Sequence, residues 1–330
     1  MHATSASHLV QPRPEPLLLR RVESHDIEAH QEGLPCEWSL RYEQLTSGRF
    51  RGVYTEAVMP QVRLFSEFTT QMLRQRGTMG PDCVSLGVPM LAGDEPYFRG
   101  QRWVPDAIFV GHGDFDFSSP ACFEVAGLTV SFEVLDDIWA RLYSFRMAPW
   151  RTPHGGLAVD ASVMSGVRSQ IQAALATFLA CPQLLHDPRA AAQMQDALLC
   201  QVLEAMAAGE PLDDLKSAAA RKKVVDRVCE LVLSRPDAPP SLLDICKEVG
   251  ASRRKLLYCF QDSVGMGPAR YLRAMRLNGV RRELRRAHGG TGVLDVAARW
   301  GFWHFSQFSA NYKEQFGELP SQTRRIALAS

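Results

Sequence analysis

Leu243-Asp244-Ile245-Cys246-Lys247-Glu248-Val249-Gly250 and Leu294-Asp295-Val296-Ala297-Ala298-Arg299-Trp300-Gly301 carry one pattern of apolar and polar positions, at an offset of 51 (294 − 243). The segments that follow, Phe260 to Gly265 to Pro268 and Tyr312 to Gly317 to Pro320, match at an offset of 52 (312 − 260), so one residue is inserted in the second turn. Each copy predicts helix, glycine turn, helix. Glycine at 250 and 301 permits the left-handed backbone that ends a helix. In a helix-turn-helix the second helix enters the major groove of DNA. A single match of this kind is weak. Two aligned copies that share a later Gly-x-x-Pro ending outweigh the bland account, a pair of helical hairpins with solvated basic faces.

Position then assigns roles. Ser252 caps the second helix of the first copy, and His304 takes the equivalent place in the second. Leu256 and Phe260, four apart, pack inward, which turns Arg253, Arg254, Leu257 and Tyr258 outward. The matching inward pair is Phe308 and Tyr312, leaving Phe305, Ser306, Ser309 and Ala310 outside. Arg254 suits a bidentate contact with guanine, and Tyr258 a phosphate or base edge. The second reading helix offers only hydroxyl and apolar groups, which favour thymine methyls and DNA shape. From Pro268 to about Ala287 the pattern predicts a connecting helix of roughly 30 Å, close to the roughly 34 Å between successive major-groove segments. Leu277, Val280 and Leu284 supply its buried face. Arg270, Arg273, Arg276, Arg281, Arg282, Arg285 and Arg286 remain for phosphates or surface ion pairs, with Arg276 and Arg281 assigned to DNA; Gly289-Gly290 ends the rod.

Charge divides the 330-residue chain in the same place. Residues 221–330 hold 20 Lys+Arg against 10 Asp+Glu, and the rest hold 17 against 26, although the whole chain is only +1. A basic last third attracts polyanions that the acidic remainder repels. Apolar residues at 46% and charged residues at 22% are ordinary for a globular protein. No apolar run reaches the roughly 18 residues of a membrane helix, and the first 20 residues read as a flexible, proline-bearing arm and not a signal peptide. The eight cysteines form no C-x-x-C pair, which fits a reducing cytoplasm.

Residues 21–208 read as a β-rich part closed by a helical hairpin. Trp38, Leu40 and Tyr42 alternate, Thr46-Ser47-Gly48 makes a turn, and Phe50 and Tyr54 follow. Phe115 and Phe117 alternate, as do Leu128, Val130, Phe132 and Val134, with Ala126-Gly127 as a hairpin tip. Short strands with frequent glycine and proline suggest a sandwich or barrel. Between 160 and 208, Ala- and Leu-rich text divides at Cys181-Pro182 and at Asp187-Pro188, a good helix start; such a hairpin can close a barrel or pair with its copy. Residues 209–221 read as a linker, and 222–330 as the tandem helix-turn-helix region. His112, Asp114 and Asp116 are the nearest approach to a metal cluster, but one histidine makes a polar turn the better reading. Glu133, Asp136 and Asp137 read as a helix-start charge cluster. No nucleophile elbow, phosphate loop or dinucleotide fingerprint appears, so no catalytic residue, metal or cofactor is expected.

The run VGASRRKLLYCF to GMGPARYLRAMRLNGVRREL, then VLDVAARWGFWHFSQFSANYKEQFGELP, resembles the DNA-binding domain of the AraC/XylS family of bacterial transcription regulators over about residues 224–325. Ala310 stands where many relatives carry an arginine. Within the family, RRKLLYCFQDSVG and WGFWH are most similar to the ethanolamine-operon regulators, as is WSLRYEQLTSGRFRG more weakly. The resemblance implies a cupin-like β-barrel for effector binding and dimerisation, promoter binding through both helix-turn-helix units, and activation through RNA polymerase. It points to ethanolamine, with or without a cobalamin, as effector. Two other readings stand beside a ligand-responsive regulator: a cupin-like metal enzyme fused to a DNA-binding domain, and an architectural DNA binder without sequence preference.

Overall fold

The computed structural model describes residues 18–35, 38–90, 94–143, 147–151, 155–212, 215–286 and 292–329. The first 17 residues of the expected arm, Cys36 and Gly289-Gly290 lie outside these. The first part runs through β1 (Leu19–Ser24), α1 (Ile27–Glu32), β2 (Ser39–Gln44), β3 (Gly52–Val58), β4 (Val62–Thr69), β5 (Leu73–Thr78) and β6 (Cys83–Pro89). It continues through β7 (Tyr97–Phe98), β8 (Gln101–Arg102), β9 (Ala107–Gly111), β10 (Asp114–Ser119), β11 (Phe123–Ser131), α2 (Phe132–Leu142) and β12 (Gly156–Ala158). The helices α3 (Ala161–Ala180) and α4 (Pro188–Ala208) and the short β13 (Glu210–Pro211) end it.

The strands form two antiparallel sheets, one in the order β1-β3-β4-β11-β6-β9-β12-β13, the other β2-β5-β10-β7-β8. Neither closes on itself, so an open two-sheet sandwich replaces the expected barrel. Its interior is filled by rings. Phe109 stands 5.8 Å from Phe117 across the two sheets, and Phe98, Trp103 and Phe115 pack around them. The large sheet buries its other face, including Leu64, Leu86 and Leu128, under Leu135 and Trp139 of α2 and the α3–α4 pair. Strands covered on both faces lose their alternation, and the structure departs from the sequence reading in four places. Ala126-Gly127 is no hairpin tip: both lie inside β11, and a Cβ on Gly127 would sit 2.0 Å from the Leu86 carbonyl oxygen of the neighbouring strand. Phe132 and Val134 belong to α2, whose start is fixed by the Ser131 hydroxyl accepting from the Val134 N–H. Helix α1, capped by Asp26, was not foreseen, and residues 19–20 are strand and not arm.

The helical part comprises α5 (Leu215–Leu233), α6 (Leu242–Val249), α7 (Arg253–Val264), α8 (Pro268–Arg286), α9 (Val293–Arg299), α10 (Phe305–Phe316) and α11 (Pro320–Ala329). Where a linker was expected over 209–221, β13 pairs with β12 and α5 begins at Leu215. Helix α8 serves two cores. Tyr271 and Met275 pack with Val225, Val228, Ile245, Leu256 and Phe260; Leu277, Val280 and Leu284 pack with Val296, Phe308, Tyr312 and Phe316. Leu45, just past β2, enters the first of these, so the sheet-rich part and the helical part share a core.

Candidate nucleic-acid interface

Each helix-turn-helix is built by local chemistry. In the first, Ser241 and Asp244 cap α6 reciprocally, the Asp244 N–H donating to Ser241 Oγ and the Ser241 N–H to the Asp244 carboxylate, both at 3.2 Å. Gly250 ends α6 at φ 66°, and the Ser252 hydroxyl accepts from the Lys255 N–H to start α7. In the second, the Asp295 carboxylate accepts from the Gly292 N–H, and Gly301 repeats the left-handed turn at φ 72°. His304 precedes α10 without a side-chain cap bond.

On α7, Leu256, Cys259 and Phe260 are buried, while Ser252, Arg253, Arg254, Lys255, Leu257 and Tyr258 are exposed. On α10, Phe308, Tyr312 and Phe316 are buried; His304, Phe305, Ser306 and Ala310 are exposed and Ser309 is half-buried. Trp303 is 63% exposed in the second turn, and Gln307 is exposed beside it. Sequence reasoning passed over both, although an aromatic residue standing in a polar turn was a visible signal.

The arginines of α8 do not act alike. Arg270 and Arg273 are exposed. Arg276 is half-buried, its guanidinium 4.9 Å from the Phe302 ring centre; burial, with the Arg273 charge beside it, lowers its pKa. Arg281 corrects the sequence reading: it is buried and faces the sheet-rich part, so it cannot reach a phosphate in this arrangement. Its Nε donates to Glu28 (3.0 Å), Nη1 to Glu318 (2.6 Å) and Nη2 to Asp26. Burial alone would lower its pKa, but Glu28, Tyr312, Asp26 and Glu318 raise it overall. Arg285 adds a bond to Asp26 (2.8 Å), and Arg282 lies 3.6 Å from the buried Glu43.

Amide bonds complete this junction. The Gln44 N–H donates to Asn278 Oδ1 (3.0 Å), Asn278 Nδ2 donates back to the Gln44 carbonyl (2.8 Å), and Gln315 Nε2 reaches the same carbonyl (2.9 Å). Gln44 Nε2 in turn donates to the Gln315 carbonyl at 2.7 Å. Farther along, Arg74 is buried and binds Asp116 of β10 and Asp226 of α5, and donates to the Tyr271 hydroxyl. Burial would raise the pKa of Asp116, but Arg74 and then Lys222 bring it down to about 2. Asp116 is thereby an ion-pair partner. Among the described residues no group of three His, Cys, Asp or Glu side chains could hold a metal ion, and no helix is long and apolar enough to cross a membrane.

A cleft of about 950 Å3 opens between this junction's two walls. Arg76, Arg99 and the turn from His112 to Phe115 line one side; Lys223, Glu230 and Leu233 of α5 line the other. Arg99 donates to the carbonyl oxygens of His112 and Asp114. Burial, then the Arg99 and Arg151 charges, lower the pKa of His112.

Residues 245–326 match the helix-turn-helix domain family. The chain is 39% identical over 88 residues to the probable thc operon regulatory protein of Rhodococcus erythropolis, a match covering 26% of each. It is 30% identical over 119 residues to the XylDLEGF operon transcriptional activator 2 of Pseudomonas putida, covering 34% of this chain and 76% of that protein. A solved AraC-type DNA-binding domain protein from Chromobacterium violaceum is 27% identical, covers 33% of this chain and 96% of its own, and gives a TM-score of 0.31. Thus the chain spans about a quarter of the length of the Rhodococcus relative, and the family match lies in the helical part. Two capped, glycine-turned helix pairs on a common helix, together with the Pseudomonas match, place this chain in the AraC/XylS family of transcription regulators.

Proposed function

We propose that the chain is a sequence-specific, DNA-binding transcription regulator whose sheet-rich part senses a small molecule. The observation that carries this reading is the repeat itself: two equivalent units present exposed second helices, and a helix of 19 residues, about 28 Å long, joins them. Arg253, Arg254, Leu257 and Tyr258 of α7 are the base-reading set. Phe305, Ser306, Ser309 and Ala310 of α10, with Trp303 added, read shape and thymine methyls. Ser252 and His304 stand at the helix starts, where backbone N–H groups favour phosphate. Arg276 belongs at the margin of this surface; Arg281 does not.

The effector site is the cleft between β5, β10 and α5, since a ligand there touches both parts at once, whereas the sandwich interior is filled by side chains. Its mixed lining of Arg99, Lys223, Asp114 and Glu230 suits a small charged metabolite, a class that includes ethanolamine. The division at about 209–221, a dimer formed through α3–α4, contact with RNA polymerase and a cytoplasmic location complete the reading. Selection of binding sites from random duplexes tests it. The reading expects an enriched motif with two half-elements one helical turn apart, and recovery of unenriched DNA would refute it.

A further inference from the structure

We propose that the sheet-rich part takes part directly in DNA binding, through a backbone-phosphate site shared between Ser47, Arg270, Arg273 and Asn311. The inference rests on the DNA-binding reading above and adds the site and its ligand, a DNA phosphodiester. These four residues line one bay of about 240 Å3, floored by Ala274 and Leu277 of α8 and closed by Glu314 and Gln315 of α10. Arg270 and Arg273 stand in the first two turns of α8, directly after α7, and Asn311 stands on α10. The bay therefore lies between the connecting helix and the second reading helix, on the path of a DNA strand that passes from one unit to the other.

The charge distribution along α8 favours this end of the helix. Arg281 and Arg285 are spent on Asp26, Glu28 and Glu318, and Arg282 lies beside Glu43. Among the described residues Arg270 and Arg273 have no carboxylate partner, and both are exposed. Asn311 accepts from Gln307 Nε2 at 2.9 Å through its Oδ1, which leaves its amide N–H groups to donate. Ser47 comes from the β2–β3 turn and is exposed. The turn is pinned to α10, because the Gly48 N–H donates to the Glu314 and Gln315 carbonyls at 3.0 and 3.1 Å. The Gln44–Asn278–Gln315 bonds hold its base. The site is whole only while the sheet stays docked on α8 and α10, so affinity for DNA reports on that docking. Glu314 is the one carboxylate on the lining, and it opposes a phosphate there.

The test is a salt titration of full-length protein on its selected site, followed by fluorescence anisotropy. Each phosphate contact contributes about 0.9 to the slope of log K against log salt. Because both arginines serve one phosphate, Arg270→Ala/Arg273→Ala should lower the slope by about 0.9, so that between 50 and 200 mM chloride the wild type loses about 3.5-fold more affinity than the variant. Ser47→Asp should weaken binding with an unchanged thermal melt, and Glu314→Gln should strengthen it. An unchanged slope in the double variant, or Ser47→Asp and Glu314→Gln binding like wild type, overturns the inference while leaving the regulator reading standing. Failure of the wild type to prefer any site over random DNA overturns both.

Discussion

Removing the Arg281 side chain separates two accounts of the connecting helix. Arg281→Ala deletes a guanidinium that is 7% exposed and leaves Asp26, Glu28 and Glu318 facing one another without it. Breaking a buried ion pair by removing one partner typically costs about 3–5 kcal/mol. Here the carboxylates are 25%, 18% and 24% exposed, and Arg285 still pairs with Asp26, so water and the second arginine recover part of the loss. The expected cost is at the low end, about 3 kcal/mol. Urea is the denaturant to use, because guanidinium would screen the pair, and the change should appear in the first unfolding transition, since a multidomain chain need not unfold in one step. The same variant should keep the wild-type salt slope for DNA. A slope lower by about 0.9 with an unchanged urea midpoint would refute the reasoning and return Arg281 to the phosphate backbone.

Acid should loosen the junction through Asp116. With its pKa drawn from 3.8 down to about 2 in the folded chain, its contribution is complete above about pH 4 and disappears as pH falls through about 2, a span of about 2 kcal/mol. Asp116→Asn should flatten that part of a pH–stability curve; a curve with wild-type slope would contradict the assignment. Arg254→Ala should cost about 1–3 kcal/mol on the selected site and relax preference at one base pair, and an equal loss on specific and random duplexes would remove it from the base-reading set. Gly127→Ala forces a methyl against the Leu86 carbonyl and should destabilise by about 1–3 kcal/mol; a urea midpoint equal to wild type would show that β6 and β11 separate more easily than their packing indicates.

The helical part was legible because its signals are local. Capping residues, left-handed glycines and inward pairs four apart all lie within a dozen residues of one another, and they recur. Leu256 with Phe260, and Phe308 with Tyr312, are buried as that spacing demands. The sheet-rich part was legible only as strand-bearing. Phe132 and Val134 continue the alternation of β11 past the point where Ser131 starts a helix, and no pattern of period two marks the change. Gly127 resembles a turn residue in sequence, yet it serves close approach of two strands whose pairing is set elsewhere. The fate of Arg281 was unreadable for the same reason: Asp26 and Glu28 lie 255 and 253 residues upstream, and nothing near Arg281 announces them. Arg270 and Arg273 look no different from it in sequence, and only the seating of the start of α1 against the far end of α8 divides them.

Hydroxyl-radical and guanine-methylation footprinting of the full chain on its selected duplex tests most directly whether α7 and α10 read DNA together. The account predicts two protected major-groove segments on one face, about 10 base pairs apart, with Arg254→Ala erasing a contact in one and Trp303→Ala weakening the other. Protection of a single major-groove segment, unchanged by substitutions on α10, would contradict it.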